Sequence, residues 1–235
     1  MLYRLPFFWK TFFFAFTLFV ITGCSQKFKS TTETIKAAYS GTQDVDISPQ
    51  QIDQLPYASI FLRINNGHKL FLILGYDDIN QATGQHRFTW ISADKSSIVT
   101  ENGRIIASSG FSGDNLVGVS GTPYKPALMA LKNWTAHYDW MPGYRYQFTA
   151  QVTPQLVGNE TLSNDSWTKQ TSHIVETVTF ADLDASFQNN YWVETSSQGS
   201  YRVVKSIQYF GPEMYKVEIT LVKPYAFLTS QGAQQ

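Results

Sequence analysis

From residue 57 onward the apolar positions recur with a period of two, the spacing that sets one face of a β-strand against a core. The clearest case places Trp134, Ala136, Tyr138 and Trp140 on one face and Thr135, His137 and Asp139 on the other. Met141-Pro142-Gly143 reads as the turn, and the return run puts Tyr144, Tyr146, Phe148, Ala150 and Val152 on a shared face. Two earlier pairs of runs, 57–65 with 69–76 and 98–100 with 104–106, are joined through Asn66-Gly67 and Asn102-Gly103. Asn-Gly supplies the two positive φ values of a type I′ hairpin turn. Phe71, Leu72, Ile73 and Leu74 are apolar without interruption, which predicts a strand covered on both faces.

Further strands are predicted over 87–93, 115–119, 173–180, 191–195, 201–210 and 215–222, with the polar stretch 153–170 as a mobile loop. About ten strands follow one another, and no ten-residue helical pattern separates them to make parallel crossovers. The expected fold is all-β: a single antiparallel β-barrel-like or two-sheet sandwich domain over residues 32–228. Helical signals are confined to the front, where Ser30-Thr31-Thr32-Glu33 fits a capping box and Ser48-Pro49 a second helix start stopped by Pro56.

The first 23 residues follow a different rule. Arg4 and Lys10 flank an apolar run, and its core, residues 12–21, is too short to cross roughly 30 Å of hydrocarbon as a helix. Ile21-Thr22-Gly23-Cys24 reads as a lipobox, in which small residues let a signal peptidase cut directly ahead of an acylated thiol. Residues 1–23 are therefore read as a lipoprotein signal peptide, Cys24 as the site of lipid attachment and 24–31 as the lipidated tether. Cys24 is the only cysteine, so no disulfide competes for it. Each buried methylene of an acyl chain contributes about 0.8 kcal/mol, so two or three chains hold a protein at a membrane stably. Ser25 stands where an aspartate would commonly signal inner-membrane retention, which favours the outer membrane, periplasmic face. A membrane-spanning barrel fits less well, since the tail 229–235 lacks an aromatic terminal residue.

Charge narrows the partners. The chain has 18 basic and 18 acidic residues, and the leader takes away two basic ones, so nothing remains to track a nucleic acid backbone. His68, His86, His137 and His173 show no ligand spacing, and neither metal nor cofactor is expected. Asp77, Asp78, Asp94, Glu101, Asp139, Glu176 and Glu194 could furnish the two carboxylates of a glycosidase, but that requirement is spatial. No catalytic residue is assigned, and the chain is not expected to be an enzyme. Trp134, Tyr138, Trp140 and Arg145 are the candidates for polysaccharide contact, by ring stacking and hydroxyl bonding. The competing reading of the three rings is the inward face of two core strands.

The lipobox leader, Tyr57-Ala58-Ser59-Ile60, Leu74-Gly75-Tyr76, Trp90-Ile91-Ser92-Ala93-Asp94, Val99-Thr100-Glu101-Asn102-Gly103-Arg104 and Trp140-Met141-Pro142-Gly143-Tyr144-Arg145-Tyr146 occur in this order. In that order the chain resembles the YjbF-like lipoproteins of group 4 capsule and exopolysaccharide operons. The resemblance covers about residues 31–225. It implies a barrel-like domain anchored by lipid in the outer membrane and needed for production or export of a surface polysaccharide. Only the acylated cysteine carries over, here Cys24. The implied partners are the membrane, polysaccharide and capsule-export proteins; a periplasmic glycan-modifying enzyme and a purely structural envelope partner are the alternatives.

Overall fold

The computed structural model describes residues 44–121, 127–195 and 201–225. The expected signal peptide, Cys24, the expected tether and the helix expected from Ser30 lie outside these residues. Twelve antiparallel strands form one sheet: β1 Ser59–Ile64, β2 Leu70–Ile79, β3 His86–Ile91, β4 Ser97–Glu101, β5 Arg104–Ser109, β6 Asn115–Ser120, β7 Trp134–Met141, β8 Arg145–Ser163, β9 Thr168–Phe180, β10 Ala185–Thr195, β11 Tyr201–Tyr209 and β12 Lys216–Lys223. The order is β5-β4-β3-β2-β1-β12-β11-β10-β9-β8-β7-β6, so every strand pairs with a sequence neighbour except where β1 meets β12. The edges β5 and β6 lie side by side, and the sheet is a nearly closed barrel. Across that seam the Leu116 amide donates to Ser108 Oγ at 2.9 Å. Near-closure removes the exposed edges that would otherwise invite another chain to pair.

The alternation read from the sequence decides which side chains turn inward. Trp134, Ala136, Tyr138 and Trp140 are all buried, as are Ile60 and Leu62 of β1 and Val217, Ile219 and Leu221 of β12. The strand with four consecutive apolar residues is covered on its outer side too. Val45, whose amide donates to the Lys69 carbonyl, is buried together with Ile47, Ile52 and Leu55. Ile52 belongs to helix α1, Pro49–Gln54, and the others lie beside it; the helix starts with Ser48 and Gln51 in a reciprocal capping box. Lys223 Nζ donates to the carbonyls of Ile52, Asp53 and Leu55 at that helix's end. A side-chain cation thus satisfies carbonyls that a six-residue helix leaves without partners.

Three local expectations are corrected. The first hairpin turn centres on Asn65 and Asn66 (φ 47° and 60°), one residue earlier than Asn66-Gly67, with the Gly67 amide donating to Ile64 O at 2.7 Å. The polar stretch 153–170 is ordered β-hairpin, the outer half of β8 and β9. Its strands are joined by side-chain bonds such as Thr161 Oγ1 to Gln170 Oε1, and Trp167 at its tip donates from Nε1 to Leu221 O at 2.9 Å. Few of its residues are buried, so hydrophobic periodicity had no signal there. The register also shifts between Tyr138 and Trp140, with Gln147 at φ 60°. This bulge throws Tyr146 outward and leaves Tyr144 89% exposed, off the face that Ala150 and Val152 share. Asn102-Gly103, by contrast, forms the expected turn, at φ 52° and 80°.

Candidate functional site

Among the described residues, a polar knot forms inside the barrel. Arg104, at the first position of β5, donates from Nη2 to Glu176 Oε1 at 2.6 Å and from Nη1 to Glu176 Oε2 at 2.5 Å, a bidentate pair with both side chains buried. Nη1 also reaches the Tyr191 hydroxyl at 3.2 Å, and the guanidinium lies 4.9 Å from the Trp134 ring centre. Burial by itself disfavours the Arg104 charge; the Glu176 carboxylate more than offsets this and holds its pKa above the ordinary arginine value. Burial pushes the Tyr138 and Tyr191 hydroxyls up, so both stay protonated.

Gln208 of β11 ties the same hairpin from the other side. Its Oε1 accepts the Ile105 amide at 2.9 Å, and its Nε2 donates to Gly103 O at 2.8 Å. The turn residue itself must be glycine. At φ 80° a Cβ would lie 2.4 Å from Val203 Cγ2. A buried ion pair of this kind is weak evidence for net stability, but removal of either partner leaves an unpaired charge. Here it fixes the β4–β5 turn against β9 and β11.

Beside that turn lies a cavity of ≈ 550 Å³, within the size range of small-molecule sites at roughly 300–1,000 Å³. Its apolar lining comes from Ile60, Phe88, Trp90, Val204, Ile219 and Leu221, and Asn102 and Gly103 contribute turn backbone. The rings follow one another along β3. His86 stacks on Phe88 at 5.8 Å, Phe88 meets Trp90 edge-on at 5.9 Å, and Tyr225 packs 5.2 Å from Phe88. Trp90 is held from behind, its Nε1 donating to Thr100 Oγ1 at 2.9 Å.

The remaining lining is charged or hydroxylic. Lys169 is clasped by both oxygens of Glu194 at 2.6 and 2.7 Å, and Lys205 pairs with Glu218 at 3.0 Å. Arg202 is exposed and has no carboxylate partner among the described residues. Burial pushes the Tyr201 hydroxyl up to about 12, so at neutral pH it can donate as well as accept. The arrangement can seat a molecule with flat apolar faces, many hydroxyls and a negative charge.

The residues proposed from sequence for sugar contact are placed elsewhere. Trp134, Tyr138 and Trp140 are 8%, 3% and 1% exposed, packed against rings such as Phe180 and Phe148, so none can stack on a polysaccharide. The core reading of this hairpin is the observed one. Trp140 Nε1 donates to Phe210 O at 2.7 Å, which completes its burial. Arg145 is surface-accessible, but it is bound to Asp114 at 2.5 Å and to Pro142 O at 3.0 Å. Most of the candidate carboxylates are engaged by the fold: Glu101 by Arg87, Asn80 and Thr83, Asp77 by His86, Asp94 by Ser92, and Asp139 by the Gln147 amide. No group of three His, Cys, Asp or Glu among the described residues could hold a metal ion. The cavity residues Phe88 and Trp90 were visible in the sequence as strand alternation, but nothing there distinguished them from the packed rings of β7.

Comparison with known proteins gives consistent relatives. The family model described as "Group 4 capsule polysaccharide lipoprotein gfcB, YjbF" matches residues 32–222. Lipoprotein GfcB of Escherichia coli (strain K12) is 31% identical over 215 residues, covering 89% of this chain and 95% of that protein. Lipoprotein YjbF of the same strain is 25% identical over 210 residues, covering 87% and 93%. The crystal structure of the hypothetical lipoprotein YmcC from Escherichia coli (K12) superposes with a TM-score of 0.66 at 26% identity, covering 87% of this chain and 99% of that one.

Proposed function

The chain belongs to the YjbF family of group 4 capsule polysaccharide lipoproteins, and from that premise we propose that it is an accessory factor in production or export of a surface polysaccharide. It works from the periplasmic face of the outer membrane, held there by the lipid on Cys24, and acts by binding polysaccharide or a component of the export machinery. The family match over residues 32–222 carries this reading. The lipobox ending at Cys24 and a mixed-polarity cavity at the barrel support it.

The test is genetic and biochemical together. A strain lacking the gene is complemented with wild type or Cys24→Ala, membranes are separated by density, and surface polysaccharide is quantified. Wild type should sediment with outer membrane and restore polysaccharide. Cys24→Ala should move to the soluble fraction and restore much less. Normal polysaccharide in the strain lacking the gene would overturn the reading; full restoration by Cys24→Ala would remove anchoring from the mechanism.

A further inference from the structure

From the cavity we infer that it is a binding site for an acidic oligosaccharide, with carboxylate-bearing sugar rings seated against Phe88 and their charge met by Arg202. This deepens, and rests on, the reading of the protein as a polysaccharide accessory factor.

Size comes first. A space of ≈ 550 Å³, partly open to solvent, admits more than one small group and falls within the size of small-molecule sites at roughly 300–1,000 Å³. The lining comes next. The apolar faces of sugar rings are C–H surfaces that lie well on aromatic faces, and His86, Phe88 and Tyr225 present a run of rings backed by the buried Trp90. An acyl chain would match the apolar residues and leave the lysines, the arginine and Glu194 of the lining unused. A nucleotide would want a phosphate cradle, and the sequence has no glycine-rich loop before a helix.

Charge selects among saccharides. Lys169 and Lys205 are already neutralised by Glu194 and Glu218. Among the described lining residues, Arg202 is the cation without a carboxylate partner, and its planar fork suits a carboxylate in bidentate fashion. The Tyr201 hydroxyl next to it adds a donor that also accepts. The β4–β5 turn, fixed by Arg104–Glu176 and by Gln208, keeps the cavity wall in place without a ligand.

The test uses the mature lipoprotein in detergent micelles. Fragments are released from the strain's own surface polysaccharide by mild acid, and half of the material has its carboxyls reduced to alcohols. Binding is measured by titration calorimetry for wild type, Arg202→Gln and Phe88→Leu, each checked for an unchanged far-UV spectrum. Untreated fragments should bind wild type, about tenfold more weakly to Arg202→Gln and more weakly to Phe88→Leu; reduced fragments should bind wild type as weakly as untreated ones bind Arg202→Gln. Equal binding of reduced and untreated fragments would overturn the acidic specificity. Absence of binding to wild type, or full binding by both variants, would overturn the site. If polysaccharide also stays normal in the strain lacking the gene, the broader reading fails with it; if polysaccharide falls there while no fragment binds, only the site assignment fails.

Discussion

Strands β7 and β3 carry matching runs of rings, and the run on β3 borders a cavity. Tyr138 and Trp140 of β7 stack at 5.6 Å and meet Phe148, Phe180 and Phe187 of β8, β9 and β10. Phe88 and Trp90 of β3 have the same i, i+2 spacing and touch each other, His86 and Tyr225. Around β7 the neighbouring strands supply large rings. Around the cavity the lining supplies aliphatic and hydroxylic side chains such as Ile60, Val204, Ser206 and Ile219, and volume stays unfilled. Whether an inward ring becomes core or ligand wall thus depends on residues far away in sequence.

Trp140→Ala should show the largest effect and would sharpen that contrast. It removes a fully packed ring and the bond to Phe210 O, so a loss of about 4–5 kcal/mol is expected in urea denaturation. Arg104→Met tests whether the knot beside the cavity is structural, and should cost about 3–4 kcal/mol by stranding Glu176. Adding Glu176→Leu to it should recover much of that loss, and an additive double mutant would contradict the pairing.

Phe88→Ala should cost roughly 1–2 kcal/mol, because the ring is half-buried and its neighbourhood already contains a void. A loss equal to that of Trp140→Ala would break the comparison and make β3 an ordinary core strand. The smallest effect belongs to the outer segment. The hydrogen bond from Arg63, then that from the Lys69 amide, lowers the Asp44 pKa to about 2. Since the folded value lies below the unfolded one, the stabilisation is present above about pH 4 and is lost as pH falls through about 2. Asp44→Asn should therefore be slightly less stable than wild type near pH 5 and indistinguishable from it below pH 2, in denaturation series across that range.

Much of the barrel was legible from side-chain pattern. The period-two runs at 134–140 and 215–222, the Asn102-Gly103 turn and the Ser48 cap are local signals, each set by backbone geometry within a few residues. The long β8–β9 hairpin was not legible, because its stability comes from cross-strand polar bonds and from Trp167 reaching β12. The candidate site was legible least of all. Trp134, Tyr138 and Trp140 stood out by alternation yet are sealed into the core, while the cavity draws on β1, β3, β4, β9, β10, β11 and β12 together.

The sequence alone determined the all-β class and the inward face of most strands, since strand alternation acts over neighbouring residues. Only the tertiary structure decided that β1 pairs with β12, that Arg104 meets Glu176, 72 residues away, and that Phe88 and Trp90 border a cavity. Those outcomes depend on closure of the sheet, which brings together side chains whose complementarity no local pattern encodes.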